Sequence, residues 1–200
     1  MLIMDKIISL DYSLTNFFNQ LIPHNQFFNY FFSFFSLKGS SILVWLLVIL
    51  IIIILEERKN PGISKRDKKF IILFSTTFLL TAFLSDIVLK NIFMRPRPFD
   101  FAQGKPFTTI YNHLQLFSTF SCPHDFSFPS THATTAFAAA TVLTFFDKKR
   151  RWFYYLVAIL ISYSRIYLSC HYFFDVATGA ILGYLISSLI LRFNRLDWFN

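Results

Sequence analysis

Residues 41–55 read SILVWLLVILIIIIL, fifteen positions without a charge. A helix crossing the hydrocarbon of a bilayer needs about 20 predominantly apolar residues, so this run predicts a span whose helix begins in the 34–40 region. The next segment, EERKNPGISKRDKK at 56–69, carries Arg58, Lys59, Lys65, Arg66, Lys68 and Lys69, with a turn at Pro61-Gly62. A second span is expected over 70–94 and stops before Pro96 and Pro98, because proline has no amide to continue a helix. Residues 95–128 read as a long polar loop. The third span starts at Ser130 or Thr131 and runs to Phe146. After the basic loop at 147–151 come a fourth span over 152–168 and a fifth over 175–193.

Composition agrees with that reading. Hydrophobic residues make up 54% of the 200 and charged residues 15%, where a soluble domain carries about 25% charge. Phe alone occurs 28 times, more than one soluble core holds. A disulfide-rich secreted scaffold, a disordered tail and a cytosolic enzyme are therefore excluded. The expectation is a single all-α integral membrane domain, residues 1–200. The formal net charge of +8 falls in short groups between apolar runs with no zinc-finger spacing, so nucleic acid is not an expected partner. Asp5 and Lys6 interrupt the first apolar residues, which does not fit a signal peptide; membrane entry rests on the internal spans.

Residues 1–37 have a different texture. Asp11, Asn16, Asn19, Gln20, His24, Asn25 and Asn29 recur among Phe and Leu, with a break at Pro23. They read as two amphipathic helices at the interface, with an extra span as the alternative. The total is thus five or six transmembrane helices. Six Lys or Arg in 56–69, four in 148–151, and Arg192 and Arg195 at the end fall on one side, which the positive-inside bias makes cytoplasmic. Loop 95–128 and the 165–175 turn then face outward. That side nevertheless holds Lys90, Arg95, Arg97, Lys105 and Arg165, and these cations call for a functional explanation.

Ionisable residues near a membrane interior are costly and usually pair or face a site. Here they gather at three outward ends: Lys90 and Arg97 in KNIFMRPRP, Ser130 and His132 in FPSTHATTA, and Arg165, His171 and Asp175 in SRIYLSCHYFFD. The types suit phosphoryl transfer, whose transition state spreads negative charge that cations and aimed amides stabilise. Two imidazoles divide the work of nucleophile and general acid. If the chain is helical there, His171 and Asp175 lie one turn apart on one face, where a carboxylate orients an imidazole. The helix start at Ser130-Thr131 offers amides to a phosphate oxygen.

These three segments resemble the signature of the type 2 phosphatidic acid phosphatase (PAP2) superfamily. Lys90, six residues and Arg97-Pro98 match its first motif. Pro129-Ser130-Thr131-His132 matches the second, with Thr131 where the family usually has Gly. Ser164-Arg165, five residues, His171, three residues and Asp175 match the third. Singly, RPRP ends a helix, PSTH is an N-cap and HxxxD is an ordinary helical pair. Together, in order and on one membrane side, they are specific. The opening segment is weakly similar to short bacterial members acting on undecaprenyl diphosphate.

The resemblance implies a PAP2-type helical bundle and a phosphatase that needs no metal or other cofactor. His171 would attack phosphorus, Asp175 would orient it, and His132 would protonate the leaving oxygen and later activate water. Lys90, Arg97, Arg165, Ser130 and the Thr131 amide would hold the phosphate. Thr131 keeps an amide but not the φ freedom of Gly, which bears on loop geometry more than on reaction class. The expected substrate is a lipid phosphate or diphosphate, with undecaprenyl diphosphate first and phosphatidylglycerophosphate, phosphatidate and lipid A phosphate behind it. The expected location is a bacterial cytoplasmic membrane, with the site facing the periplasm or cell exterior. A lipid phosphotransferase and a non-catalytic phospholipid carrier are the rival readings.

Other residues stay open at this level. Asp86, one turn before Lys90, either neutralises it or positions it. Arg95 either contacts substrate or caps the helix. His113, Cys122, His124 and Asp125 fit no metal template and read as solvated loop residues. Cys122 and Cys170 share the outer, oxidising side, where a disulfide is one of two readings. Phe93, Phe99, Phe101, Phe126 and Phe128 flank the motifs and either line an acyl or prenyl groove or face lipid.

Overall fold

The computed structural model describes residues 2–36, 40–57, 64–98, 122–123 and 125–196, and the elements among them are all helical. Helices α1 (Leu2–Gln20) and α2 (Gln26–Ser36) part at the expected break around Pro23. Asn25 opens α2 by accepting the Phe28 amide at 2.9 Å, as N-cap side chains do. The apolar run forms α3 (Ser40–Glu57). Helix α4 (Lys65–Phe93) starts on a reciprocal cap, Ser64 with Asp67. Its last third contains a wide π turn, Leu84–Leu89, immediately before Lys90. Helices α5 (Thr131–Phe146), α6 (Arg151–Tyr167) and α7 (Phe173–Leu196) fall within a few residues of the expected third, fourth and fifth spans.

Among the described residues, two helices, Lys65–Phe93 and Phe173–Asn194, are long and apolar enough to cross a membrane. Helix α5, with 16 residues, sits in the middle and is buried over most of its length, as expected of a helix apolar all round. Its Ala136, Ala139, Ala140 and Leu143 pack against Val44, Trp45 and Val48 of α3 and against Tyr154, Val157, Ala158 and Ile161 of α6. Val142, on another side of α5, meets Leu73 of α4 and Leu191 of α7.

The contact of α5 with α7 is backbone to backbone. A Cβ added at Gly183 would stand 2.0 Å from the Thr134 carbonyl oxygen, and one at Gly179 would stand 2.6 Å from that of Ser130. Gly179 and Gly183 are four apart and line one face, the small-residue spacing by which membrane helices approach closely. The approach brings the start of α5 beside the start of α7, where the Ser130 amide donates to the Asp175 carbonyl at 3.0 Å.

The bundle has two chemically different ends. At one, Arg66 donates to the Phe146 carbonyl and Lys69 to that of Asn194, so basic side chains of α4 cap the last carbonyls of α5 and α7. At the other lie the end of α4, the start of α5 and the α6–α7 turn. Between them the outer faces carry exposed Leu46, Leu50, Ile72, Leu79, Ile159 and Leu189. On α1 the polarity is inverted relative to a soluble protein: Ile3, Ile7 and Leu10 are exposed, while Asp11, Thr15 and Asn19 are buried.

Candidate active site

Each segment reaches the site end because its helix stops there. Met94 takes a left-handed φ of 46° and closes α4, so residues 95–98 turn back across the bundle. Ser127 fastens this stretch, its amide donating to the Arg95 carbonyl at 2.8 Å and its hydroxyl to that of Pro96 at 3.1 Å. The α6–α7 turn bends at Ser169, whose φ is 56°. The amides of Cys170 and His171 both donate to the Arg165 carbonyl, at 3.0 and 3.2 Å. A disulfide joins Cys122 to Cys170, with 5.6 Å between Cα atoms, which answers the question the sequence left open and ties Cys122 to the residue before His171.

Arg97, 1% exposed, is the hub. Its Nη1 donates to the Cys170 carbonyl at 2.8 Å and to His171 Nε2 at 3.0 Å. Its Nε and Nη2 donate to the backbone carbonyl and the Oδ1 of Asp125, at 2.8 and 2.5 Å. A guanidinium only donates, so Nε2 of His171 presents its lone pair and the ring proton belongs on Nδ1. That Nδ1 lies 3.5 Å from Asp175 Oδ2. Burial first, then the positive charges of Arg97, Arg165 and Lys90, hold the His171 imidazole well below its ordinary pKa. It is neutral, and its Nε2 lone pair accepts from Arg97.

Asp175 is fully buried and its carboxylate is divided. Oδ2 accepts the Tyr172 amide at 2.9 Å and Oδ1 accepts Arg95 Nη1 at 2.7 Å. Helix α7 begins at Phe173, so His171 stands outside it; the pair is made by a turn leading into a helix start, and not by two residues on one helix face as the spacing suggested. Ser130 Oγ and His132 Nε2 are buried without a hydrogen-bond partner among the described residues. Thr131 Oγ1 donates to Asp86 at 3.0 Å. The Ser130 amide is taken by Asp175, so the amides left at the start of α5 begin with Thr131. Arg165, fully buried, donates to the carbonyl and hydroxyl oxygens of Ser36 on α2.

The fold therefore brings all eight expected site residues, Lys90, Arg97, Ser130, Thr131, His132, Arg165, His171 and Asp175, to one end of the bundle. Asp125 does more than the solvated loop residue expected: its side chain is 40% exposed, and its carboxylate bridges Lys90 and Arg97. Burial alone would raise its pKa, but Lys90 and Arg97 outweigh burial and hold it below the usual carboxylate range. Lys90 is shared between Asp125 and Asp86, the latter at 2.5 Å. Arg95, left open before, pairs with Asp175 and with Asp11. Nothing in the local pattern pointed to Asp125, and Asp11 was visible only as an acid in an apolar helix. Phe93 and Phe128 meet edge to face at 4.8 Å; Phe99, Phe101, Lys105, His113 and His124 lie outside the described residues.

Chemically, this is an imidazole lone pair beside a guanidinium, a carboxylate behind the imidazole, a second imidazole, a hydroxyl and a lysine. A tetrahedral oxyanion offers such groups more acceptors than a carboxylate does. The profile of the PAP2 superfamily matches residues 69–198. An undecaprenyl-diphosphatase of Sulfolobus acidocaldarius is 32% identical over 131 residues, 65% of this chain and 58% of that protein. The chain spans about half the length of the first curated relatives it matches. The crystal structure of Aquifex aeolicus LpxE matches with a TM-score of 0.61 and 26% identity, over 92% of this chain and 95% of that one. The transmembrane PAP2 type phosphatidylglycerolphosphate phosphatase of Bacillus subtilis shares the fold, with a TM-score of 0.59 and 23% identity over 95% of this chain and 87% of that one.

Proposed function

This chain belongs to the PAP2 superfamily, and on that premise we propose that it is a membrane phosphatase acting on a lipid phosphate or diphosphate through a phosphohistidine at His171. The observation that carries the reading is the hydrogen bond from Arg97 to His171 Nε2, with Asp175 behind Nδ1. It leaves the nucleophilic lone pair on the nitrogen beside a phosphate-binding cation.

In the proposed reaction Lys90, Arg97 and Arg165, with Ser130 Oγ and the Thr131 amide, hold the phosphoryl oxygens, and phosphate replaces Asp125 on Lys90 and Arg97. His171 Nε2 forms a bond to phosphorus as the bond to the leaving oxygen breaks. The electron pair leaves with that oxygen, which takes a proton from His132 Nε2. Asp175 holds the Nδ1 proton and balances the charge His171 gains. Water, losing its proton to His132, then attacks phosphorus, the P–N bond breaks and inorganic phosphate departs.

The substrate proposed first is undecaprenyl diphosphate, giving undecaprenyl phosphate and phosphate. The activity of the archaeal relative supports it. Phosphatidylglycerophosphate, phosphatidate and lipid A phosphate share the group the motifs read. The chain is proposed to cross a bacterial cytoplasmic membrane five or six times as one domain, with the site on the outer face. The clustering of basic side chains at the opposite end of the bundle supports that orientation.

The test is phosphate release by detergent-purified protein in EDTA over a panel of lipid phosphates and diphosphates, beside His171→Ala. Release that survives EDTA and vanishes in His171→Ala is expected. Release that needs added metal, or persists in the variant, would overturn the reading.

A further inference from the structure

Asp11, Thr15 and Asn19 follow one another at four-residue spacing on α1 and are each no more than 1% exposed. That spacing aligns them along one face of a helix, and the line runs beside the turn carrying His171. Asn19 Nδ2 donates to the carbonyls of Ile166 and Tyr167, both at 2.8 Å, and to Ser169 Oγ at 3.2 Å. Thr15 Oγ1 accepts the Phe173 amide at 2.9 Å, and Asp11 Oδ1 accepts the Phe174 amide at 2.8 Å. A helix leaves its last carbonyls and first amides without partners of its own. Here one stripe on α1 satisfies both the last carbonyls of α6 and the first amides of α7, with the His171 turn strung between them.

The stripe also reaches the chemistry. Asp11 Oδ2 accepts Arg95 Nη2 at 2.6 Å, and the same guanidinium donates from Nη1 to Asp175 Oδ1 at 2.7 Å. The Arg95 guanidinium carbon sits over the Tyr172 ring, 4.0 Å from its centre, so it cannot swing without leaving that face. An apolar stripe would seat α1 against the bundle without the cost of burying a carboxylate. A buried acid bonded to an amide of α7 and to the partner of Asp175 fits a demand for orientation better than a demand for packing.

We propose that α1 is a positioning element for the histidine chemistry, and that Asp11, acting through Arg95, fixes the orientation of Asp175 and thereby of His171. The proposal rests on His171 and Asp175 having the roles given above. It lies outside the family match, which begins at residue 69. Asp11 touches no reacting atom; its effect is on turnover, not on holding phosphate.

The experiment measures kcat and KM for a short-chain phosphatidate and for farnesyl diphosphate in detergent. The proteins are wild type, Asp11→Asn, Asp11→Ala, Asp11→Glu, Asp175→Asn, the Asp11→Asn/Asp175→Asn double variant and His171→Ala, with thermal melts of each. Asp11→Asn keeps an acceptor for the Phe174 amide and removes the charge facing Arg95. Its kcat should fall about tenfold and that of Asp11→Ala about 10²-fold, the order lost when reacting groups are misplaced by an ångström. KM should stay within about twofold, and Asp11→Glu should recover part of the loss. On an Asp175→Asn background, Asp11→Asn should cost nothing further, because the two act as a unit. A folded Asp11→Asn enzyme with wild-type kcat would overturn the proposal. So would a full additional loss on the Asp175→Asn background, or a loss that only tracks the unfolded fraction. Wild type no more active than His171→Ala would overturn the reading of His171, and this role with it.

Discussion

His171 owes its protonation state to the residues around its two nitrogens. Arg97 donates to Nε2, and burial together with Arg97, Arg165 and Lys90 keeps the ring neutral. A depressed pKa moves the acid limb of kcat/KM, which reports the free enzyme, below the ordinary imidazole value of about 6.5. Corrected for substrate ionisation, kcat/KM should show its acid midpoint below that ordinary value; a midpoint at or above 6.5 would contradict the assigned environment. Asp125 makes a second prediction. Bridging Lys90 and Arg97, it competes with any phosphate for both. Asp125→Asn should lower KM and the inhibition constant of inorganic phosphate several-fold, and lower the melting temperature because two buried cations lose a counter-ion. An unchanged KM would mean that phosphate binds elsewhere.

At the scale of elements, the motifs work only because helices stop and approach where they do. Gly183 lets α7 lie against the backbone of α5 at Thr134. Gly183→Ala should destabilise by about 1–3 kcal/mol or more, the range for overpacking, and should impair activity in the folded fraction by moving Asp175 relative to Ser130. A melt matching wild type would contradict the close approach. The sequence already placed α3 to α7 within a few residues, since long apolar runs bounded by Pro96, Ser130 and basic loops leave few alternatives. It did not disclose which way α1 faces. A polar stripe has the same spacing whether it meets water or protein, and Asp11, Thr15 and Asn19 turn inward because α6 and α7 end against them. Nor did it disclose the bridge made by Asp125, which depends on where a loop folds back and not on any local pattern. The three motifs were legible because phosphate chemistry demands particular residue types at helix ends.

Among the described residues, Arg66 and Lys69 cap one end of the bundle, the other end holds His171 and Asp175, and exposed apolar side chains lie between them. That polarity predicts a topology. In cells, Lys149→Cys should react with an impermeant maleimide only after the cytoplasmic face is opened, and Asn91→Cys should react from outside. The native cysteines should yield two thiols only after reduction. Labelling of both introduced sites from one face would contradict the orientation. Everything proposed, from substrate handling to the role of α1, depends on phosphorus becoming bonded to His171. The most direct measurement is rapid quenching of the purified enzyme during turnover of a lipid diphosphate carrying ³²P in its terminal phosphate, with the label then mapped. The account predicts radiolabel on His171 in wild type and none in His171→Ala. Label on another residue, or steady hydrolysis by a His171→Ala enzyme, would contradict it.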